Sequence, residues 1–105
     1  MNMTYAFIQD VPANAEIYSM IKAKLGTATP TGLIAHIVIT RDAGLRYVDV
    51  WETEEAWVQY RDEHVEPAVT EVLAGFGLPH DHSIVVTEQV EVIDVWLGES
   101  TAKIG

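Results

Sequence analysis

The chain has no cysteine. Disulfides and thiolate-bound metals are therefore excluded, and its stability must come from packing and hydrogen bonding. Basic residues are scarce: 6 Lys and Arg stand against 16 Asp and Glu, a formal net charge of −10. Phosphate backbones and anionic membrane surfaces would be repelled at long range, and no basic cluster offsets this. No apolar run approaches the roughly 18 residues of a membrane span, and no basic segment followed by an apolar one opens the chain. The expectation is a soluble, cytoplasmic protein with neither a nucleic-acid nor a membrane partner. Linkers and low-complexity segments are also missing, so residues 1–105 read as a single domain.

Hydrophobic residues, in contrast, make up 49% of the chain. A domain of this size removes only about two-thirds of its unfolded surface from water. The surplus suggests that some apolar surface is covered by a second subunit.

The pattern predicts six elements. A first strand runs from Met3 to Gln9 and ends at Pro12, which lacks a ladder N–H. Asn14 is a good N-cap for a helix with Glu16 in its first turn, Lys22 and Lys24 late, and Gly26 just past its end. Ile17, Met20, Ile21 and Leu25 form its expected buried stripe. Two strands follow, Leu33 to Thr40 and Leu45 to Glu52. A second helix is capped by Thr53 and continues to about Ala74, with a kink or break just before Pro67. The loop "GFGLPHDH" leads to a long last strand, Ser83 to Leu97, and residues 98–105 read as a flexible tail. The order strand, helix, strand, strand, helix, strand is the α+β, ferredoxin-like βαββαβ pattern: a four-stranded antiparallel sheet with both helices on one face.

The hairpin "IAHIVITRDAGLRYVDVW" carries two ionisable groups within otherwise apolar runs, His36 and Asp49. A loop over Arg41 to Gly44, with Gly44 left-handed, pairs Thr40 with Leu45. Counting back, Ile37 faces Val48 and Ala35 faces Val50 on one side of the sheet. On the other, Val38 meets Tyr47, His36 meets Asp49, and Ile34 meets Trp51. The small and branched set is the natural partner for helices, and a carboxylate is disfavoured in a helix-covered layer. His36, Asp49, Tyr47 and Trp51, with Tyr5 and Phe7, are therefore expected on the face away from the helices, under a second copy of the sheet.

The stretch "DVWETEEAW", Asp49 to Trp57, together with "GLIAH" and "GLRYVDVWE", resembles the dimeric α/β-barrel superfamily and its antibiotic-biosynthesis-monooxygenase-like members. The similarity covers most of residues 4–96. It implies two ferredoxin-like subunits whose sheets close into a barrel, with a ligand cleft between sheet and helices in each. Haem-degrading relatives carry an asparagine on the first strand, a tryptophan early on the second helix and a histidine further along it. Here Thr4 to Gln9 holds no asparagine, Tyr60 occupies the tryptophan position, Val69 falls at the histidine position, and His64 is more than a turn away. The resemblance thus implies no haem and no other bound cofactor. Quinone-forming, cofactor-independent oxygenase chemistry would need Tyr60, Trp51 or His36 as substitutes.

The candidate catalytic pair is His36 with Asp49: an imidazole acting as general base, with a carboxylate fixing its tautomer. The alternative is a satisfied structural pair, since residues across a hairpin meet whether or not chemistry needs them. Tyr47, Trp51, Tyr60, His64 and Tyr5 are the candidate ligand-binding residues, with Trp57 either core or pocket wall. Arg61 and His64 could equally lie on a solvated helix face. His80 and His82 offer only two ligands at i and i+2, short of the three or four a transition metal needs, so no metal is expected. The functional expectation is a homodimer or a dimer of dimers with a cavity for a small aromatic or hydrophobic molecule, either a cofactor-independent monooxygenase-like enzyme or a non-catalytic ligand-binding or structural dimer.

Overall fold

A computed structural model describes residues 4–98 of the chain. Strand β1 (Tyr5–Val11) leads into helix α1 (Ala15–Leu25), and strands β2 (Leu33–Arg41) and β3 (Gly44–Trp51) form a hairpin. Helix α2 (Glu54–Tyr60) passes through a π-helical turn (Arg61–Val65) into α3 (Glu66–Gly75), and a short 3₁₀ turn (His82–Ile84) precedes β4 (Val86–Val90). The strands lie in the order β2-β3-β1-β4 and every pairing is antiparallel. This is the ferredoxin-like βαββαβ architecture, with the second helix interrupted. Among the described residues no helix is long and apolar enough to cross a membrane.

Local chemistry sets the element boundaries. Asn14 Oδ1 accepts the Ile17 N–H at 2.8 Å, and Thr53 Oγ1 accepts that of Ala56 at 3.1 Å, so each helix starts on its expected cap. Gly26 ends α1 with φ +84° and its N–H bonded to the Lys22 carbonyl. At the helix break the Glu66 N–H reaches back to the Arg61 carbonyl, an i to i−5 bond. The wide turn ends immediately before Pro67, which then sits in the first turn of α3, where a missing N–H costs least. The predicted break is thus a π-turn, and Glu66 follows it directly.

The hairpin register matches the expectation from Thr40↔Leu45 through Ala35↔Val50. Beyond it a bulge at Ile34 pairs Leu33, not Ile34, with Trp51. Gly44 adopts φ +154° rather than a left-handed helical conformation. A Cβ there would collide with the Val11 carbonyl oxygen, so the site demands glycine because β1 passes close by.

Three element expectations are corrected. Strand β1 is displaced to Tyr5–Val11, because Val11 still pairs with Leu45 before Pro12 ends the ladder; Met3 lies outside the described residues. The last strand is five residues long rather than fifteen. Its pairing with β1 ends with Val90 opposite Ala6, one residue from the described start of that strand. Of the expected tail, all but Gly98 lies outside the described residues. In α1, Ile21 is buried but Met20 is exposed, and the helix packs on α3 through Ile17, Ile21 and Leu25 against Ala68, Val69 and Val72.

The largest correction concerns the faces of the sheet. Phe7 and Trp51 contact Trp57 of α2, and His36 contacts Tyr18 of α1. The histidine, the aspartate and the aromatics therefore lie under the helices, not away from them. The side expected to meet the helices is the open one, and Ile37, at 54% exposure, and Ile39 stand on it. The register places Val48, Ile8 and Val86 on this same side.

Candidate functional site

Asp49 is 4% exposed, and its two carboxylate oxygens are divided between two donors. Oδ1 accepts His36 Nδ1–H at 2.7 Å across the hairpin, and Oδ2 accepts Trp51 Nε1–H at 3.0 Å from two residues along β3. A carboxylate can only accept, so the proton of a neutral His36 sits on Nδ1 and Nε2 is left as an acceptor. Tyr18 O–H fills that position at 2.9 Å. The result is a continuous chain, Trp51–Asp49–His36–Tyr18, in which each polar atom is satisfied. The His36 side chain keeps 29% of its surface accessible, because β2 is an edge strand.

Tyr47 packs beside this chain, its ring 5.7 Å from Tyr18 and 5.8 Å from His36. Burial, followed by its neighbours Tyr18 and Asp49, pushes the Tyr47 hydroxyl up to about 12. Burial also raises Tyr18, with a further upward push from Asp49. Both phenols are held neutral and act as hydrogen-bond donors around neutral pH.

A cleft of about 680 Å³ opens between the sheet and the helices. Its walls are mostly apolar, with Ile17, Trp57, Val65 and Leu73 from the helices and Val11 and Tyr47 from the sheet. Such a concave, largely apolar space with a few polar groups is the usual form of a small-molecule site. Of the residues singled out in the sequence as candidates, Tyr47, Trp57, Arg61, His80 and His82 line this cleft. His36 and Asp49 come together as expected but stand behind Tyr47 rather than in the wall. Trp51 is buried at 2% exposure, in tilted ring contact with Trp57 and Tyr60. Tyr60 in turn carries the exposed His64, with ring centres 5.0 Å apart. Tyr5 contacts Phe7 and lies outside the cleft wall, and burial raises its hydroxyl.

Sequence reasoning missed Tyr18. The signal was available: Tyr18, Ile21 and Leu25 follow the i, i+3, i+7 spacing of a buried helical stripe, a better match than one through Met20.

No protein-family model and no curated protein matches the chain. Solved structures do. NE2512, a protein of unknown function from Nitrosomonas europaea, is 15% identical and aligns over 95% of this chain and 100% of its own, with a TM-score of 0.63. A single-substitution variant of SnoaB, a cofactor-independent oxygenase from Streptomyces nogalater, is 14% identical over 88% of this chain and 95% of its own, at 0.58. A putative antibiotic biosynthesis monooxygenase from Chloroflexus aurantiacus is 17% identical over 90% and 99%, at 0.56. The chain has the fold of the antibiotic-biosynthesis-monooxygenase-like proteins. At these identities the likeness concerns the fold, and the function has to be argued from the site.

Proposed function

We propose that this protein is a homodimer that binds a small aromatic or hydrophobic molecule in the cleft between sheet and helices, and that it acts on it as a cofactor-independent, monooxygenase-like enzyme. The observation that carries this reading is Tyr47. It lines the apolar cleft on one side and packs against the Asp49–His36–Tyr18 chain on the other. A neutral tyrosine there donates a hydrogen bond to a ligand oxygen. His36 Nε2 takes a proton relayed through Tyr18, and Asp49 stabilises the imidazolium that results. The reaction this supports is removal of a proton from an activated CH₂ of the substrate, whose carbanion is oxidised by dioxygen. One oxygen atom is retained as a carbonyl and the other leaves with two hydrogens as water.

Dimerisation is supported by the open sheet face, where Ile37 and Ile39 are exposed, and by the segment after β4, where Ile93, Trp96 and Leu97 project into solvent. Apolar surface on this scale marks an interaction site. A two-fold axis would bury the same patch on both copies.

A second reading, binding without chemistry, is favoured by one observation: Tyr47, not His36, faces the cleft. Oxygen uptake measured with a panel of polycyclic phenols separates the two. Uptake that is lost in His36→Ala, while sedimentation and circular dichroism stay unchanged, supports the enzyme. Saturable quenching of Trp57 fluorescence without oxygen uptake supports the binding protein, and no binding by any phenol would sink both.

A further inference from the structure

Among the described residues, a cluster of three metal-type ligands outside the relay lies where the π-turn meets α3. Glu66 Oε1 accepts His82 Nε2–H at 2.7 Å, and Glu66 Oε2 lies 3.2 Å from His80 Nδ1. The two imidazole rings are stacked with centres 4.1 Å apart. One donor atom from each of the three residues can be chosen so that all lie within 4.8 Å of one another. The sequence offered only the two histidines of "HDH"; the fold adds Glu66, fourteen positions upstream of His80 and the first residue of α3 after the π-turn.

We propose that Glu66, His80 and His82 form a binding site for a divalent transition cation of the zinc type. Two imidazole nitrogens and one carboxylate oxygen are a donor set this class of ion prefers. Tetrahedral bonds of about 2.0–2.1 Å require donor–donor edges of about 3.3 Å. The contacts of 2.7 and 3.2 Å need only a small outward movement to reach that spacing. His82 is 66% exposed at its side chain, which gives it room for the adjustment. The loop that carries it is held in place: Asp81 Oδ1 accepts both the N–H and the Oγ–H of Ser83. Thr70 Oγ1 lies 3.0 Å from the same His80 Nδ1 and would turn away from it when that nitrogen binds the cation. Asp62, Glu71 and Asp81 surround the cluster, and the chain's net charge of −10 attracts cations.

Three protein ligands leave a coordination position open. Glu66, His80 and His82 all belong to the wall of the cleft that Tyr47 lines. The open position is therefore available to water or to an oxygen of a molecule in the cleft. This site does not depend on the His36 relay, and either can fail without the other.

The test is a titration of chelator-stripped protein with zinc chloride in competition with a chromogenic chelator. The expected result is one zinc per chain with a dissociation constant in the micromolar range or tighter. Loss of an outer-shell partner typically weakens a metal site by about 10–100-fold, so removing a ligand by His82→Ala or Glu66→Gln should weaken it at least tenfold. His64→Ala, on an exposed histidine outside the cluster, should bind as the parent does. Cobalt(II) should give the intense visible absorption of a four-coordinate site, also lost in His82→Ala. Because His82 is exposed, that variant is expected to fold, and circular dichroism checks it. Absence of stoichiometric zinc, or zinc binding retained at parental strength in both variants, overturns the proposal and leaves Glu66 with the histidines as a hydrogen-bonded cluster only.

Discussion

His36 and Asp49 stand opposite each other on β2 and β3, their side chains 2.7 Å apart on the side of the sheet that the helices cover. A carboxylate so placed is stable only because every acceptor position that matters is used. Trp51 occupies the second oxygen, and Tyr18 completes the histidine from above. Asp49→Ala would leave the buried Trp51 N–H and His36 Nδ1–H without a partner. At about 1–3 kcal/mol for an unsatisfied buried donor, with less for the partly exposed His36, the loss should reach roughly 2–4 kcal/mol. Urea unfolding followed by tryptophan fluorescence measures it. Asp49→Asn, which keeps the shape and one acceptor, should lose less, and equal losses in the two variants would argue that the intact carboxylate, with both oxygens accepting, is what matters here.

The tyrosines give the protein an alkaline limit. Tyr47 is pushed up to about 12 and Tyr18 is raised, both chiefly by burial. A group whose pKa is higher folded than unfolded contributes stability that is fully present below its unfolded value. That contribution is lost as pH rises through the folded one. Stability should therefore fall between about pH 10, the unfolded tyrosine value, and about 12. Melting temperatures measured across that window should decline in the parent and decline less in Tyr47→Phe. Absorbance titration at 295 nm should show the Tyr47 phenolate among the last to form.

Much of this arrangement could be read from the chain, and the reasons for the exceptions are physical. The hairpin register follows from turn length and strand period, which are local, so Thr40↔Leu45 and His36↔Asp49 emerged correctly. Helix caps are equally local, as Asn14 and Thr53 demonstrate. Which side of the sheet the helices cover is not local. Both sides of this sheet are apolar, and the cost of covering a carboxylate points the helices to the branched side. That cost is offset by Trp51 and Tyr18, whose contacts with the pair could not be counted before the helices were placed. Glu66 escaped notice for the same reason, because only the folded chain brings it to His80 and His82.

Gly44 offers a sharp test of how tightly β1 and the hairpin are held. Its φ of +154° is unfavourable for other residues, and an added methyl group would strike the Val11 carbonyl oxygen. The obstacle is backbone, not the end of a flexible side chain. Gly44→Ala should therefore destabilise by more than about 1 kcal/mol, the lower range for a strained backbone position. Gly77, also at positive φ but with open space around it, is the control for strain without collision. In urea unfolding Gly44→Ala should cost more than Gly77→Ala.

The open face is where the proposed dimer would form. Ile37 lies near the middle of β2, is 54% exposed, and sits opposite Val48. If a second copy covers this surface, Ile37→Glu would bury a charge at the interface on both sides of the two-fold axis. An unpaired buried charge is costly enough to separate the subunits. In the isolated chain the same side chain would point into water and cost little. Sedimentation equilibrium should therefore give about twice the 11.6 kDa chain mass for the parent and a single chain mass for Ile37→Glu, with matching circular dichroism spectra. A parent that sediments as a single chain at micromolar concentration would mean that this greasy side of the sheet meets something other than its own copy.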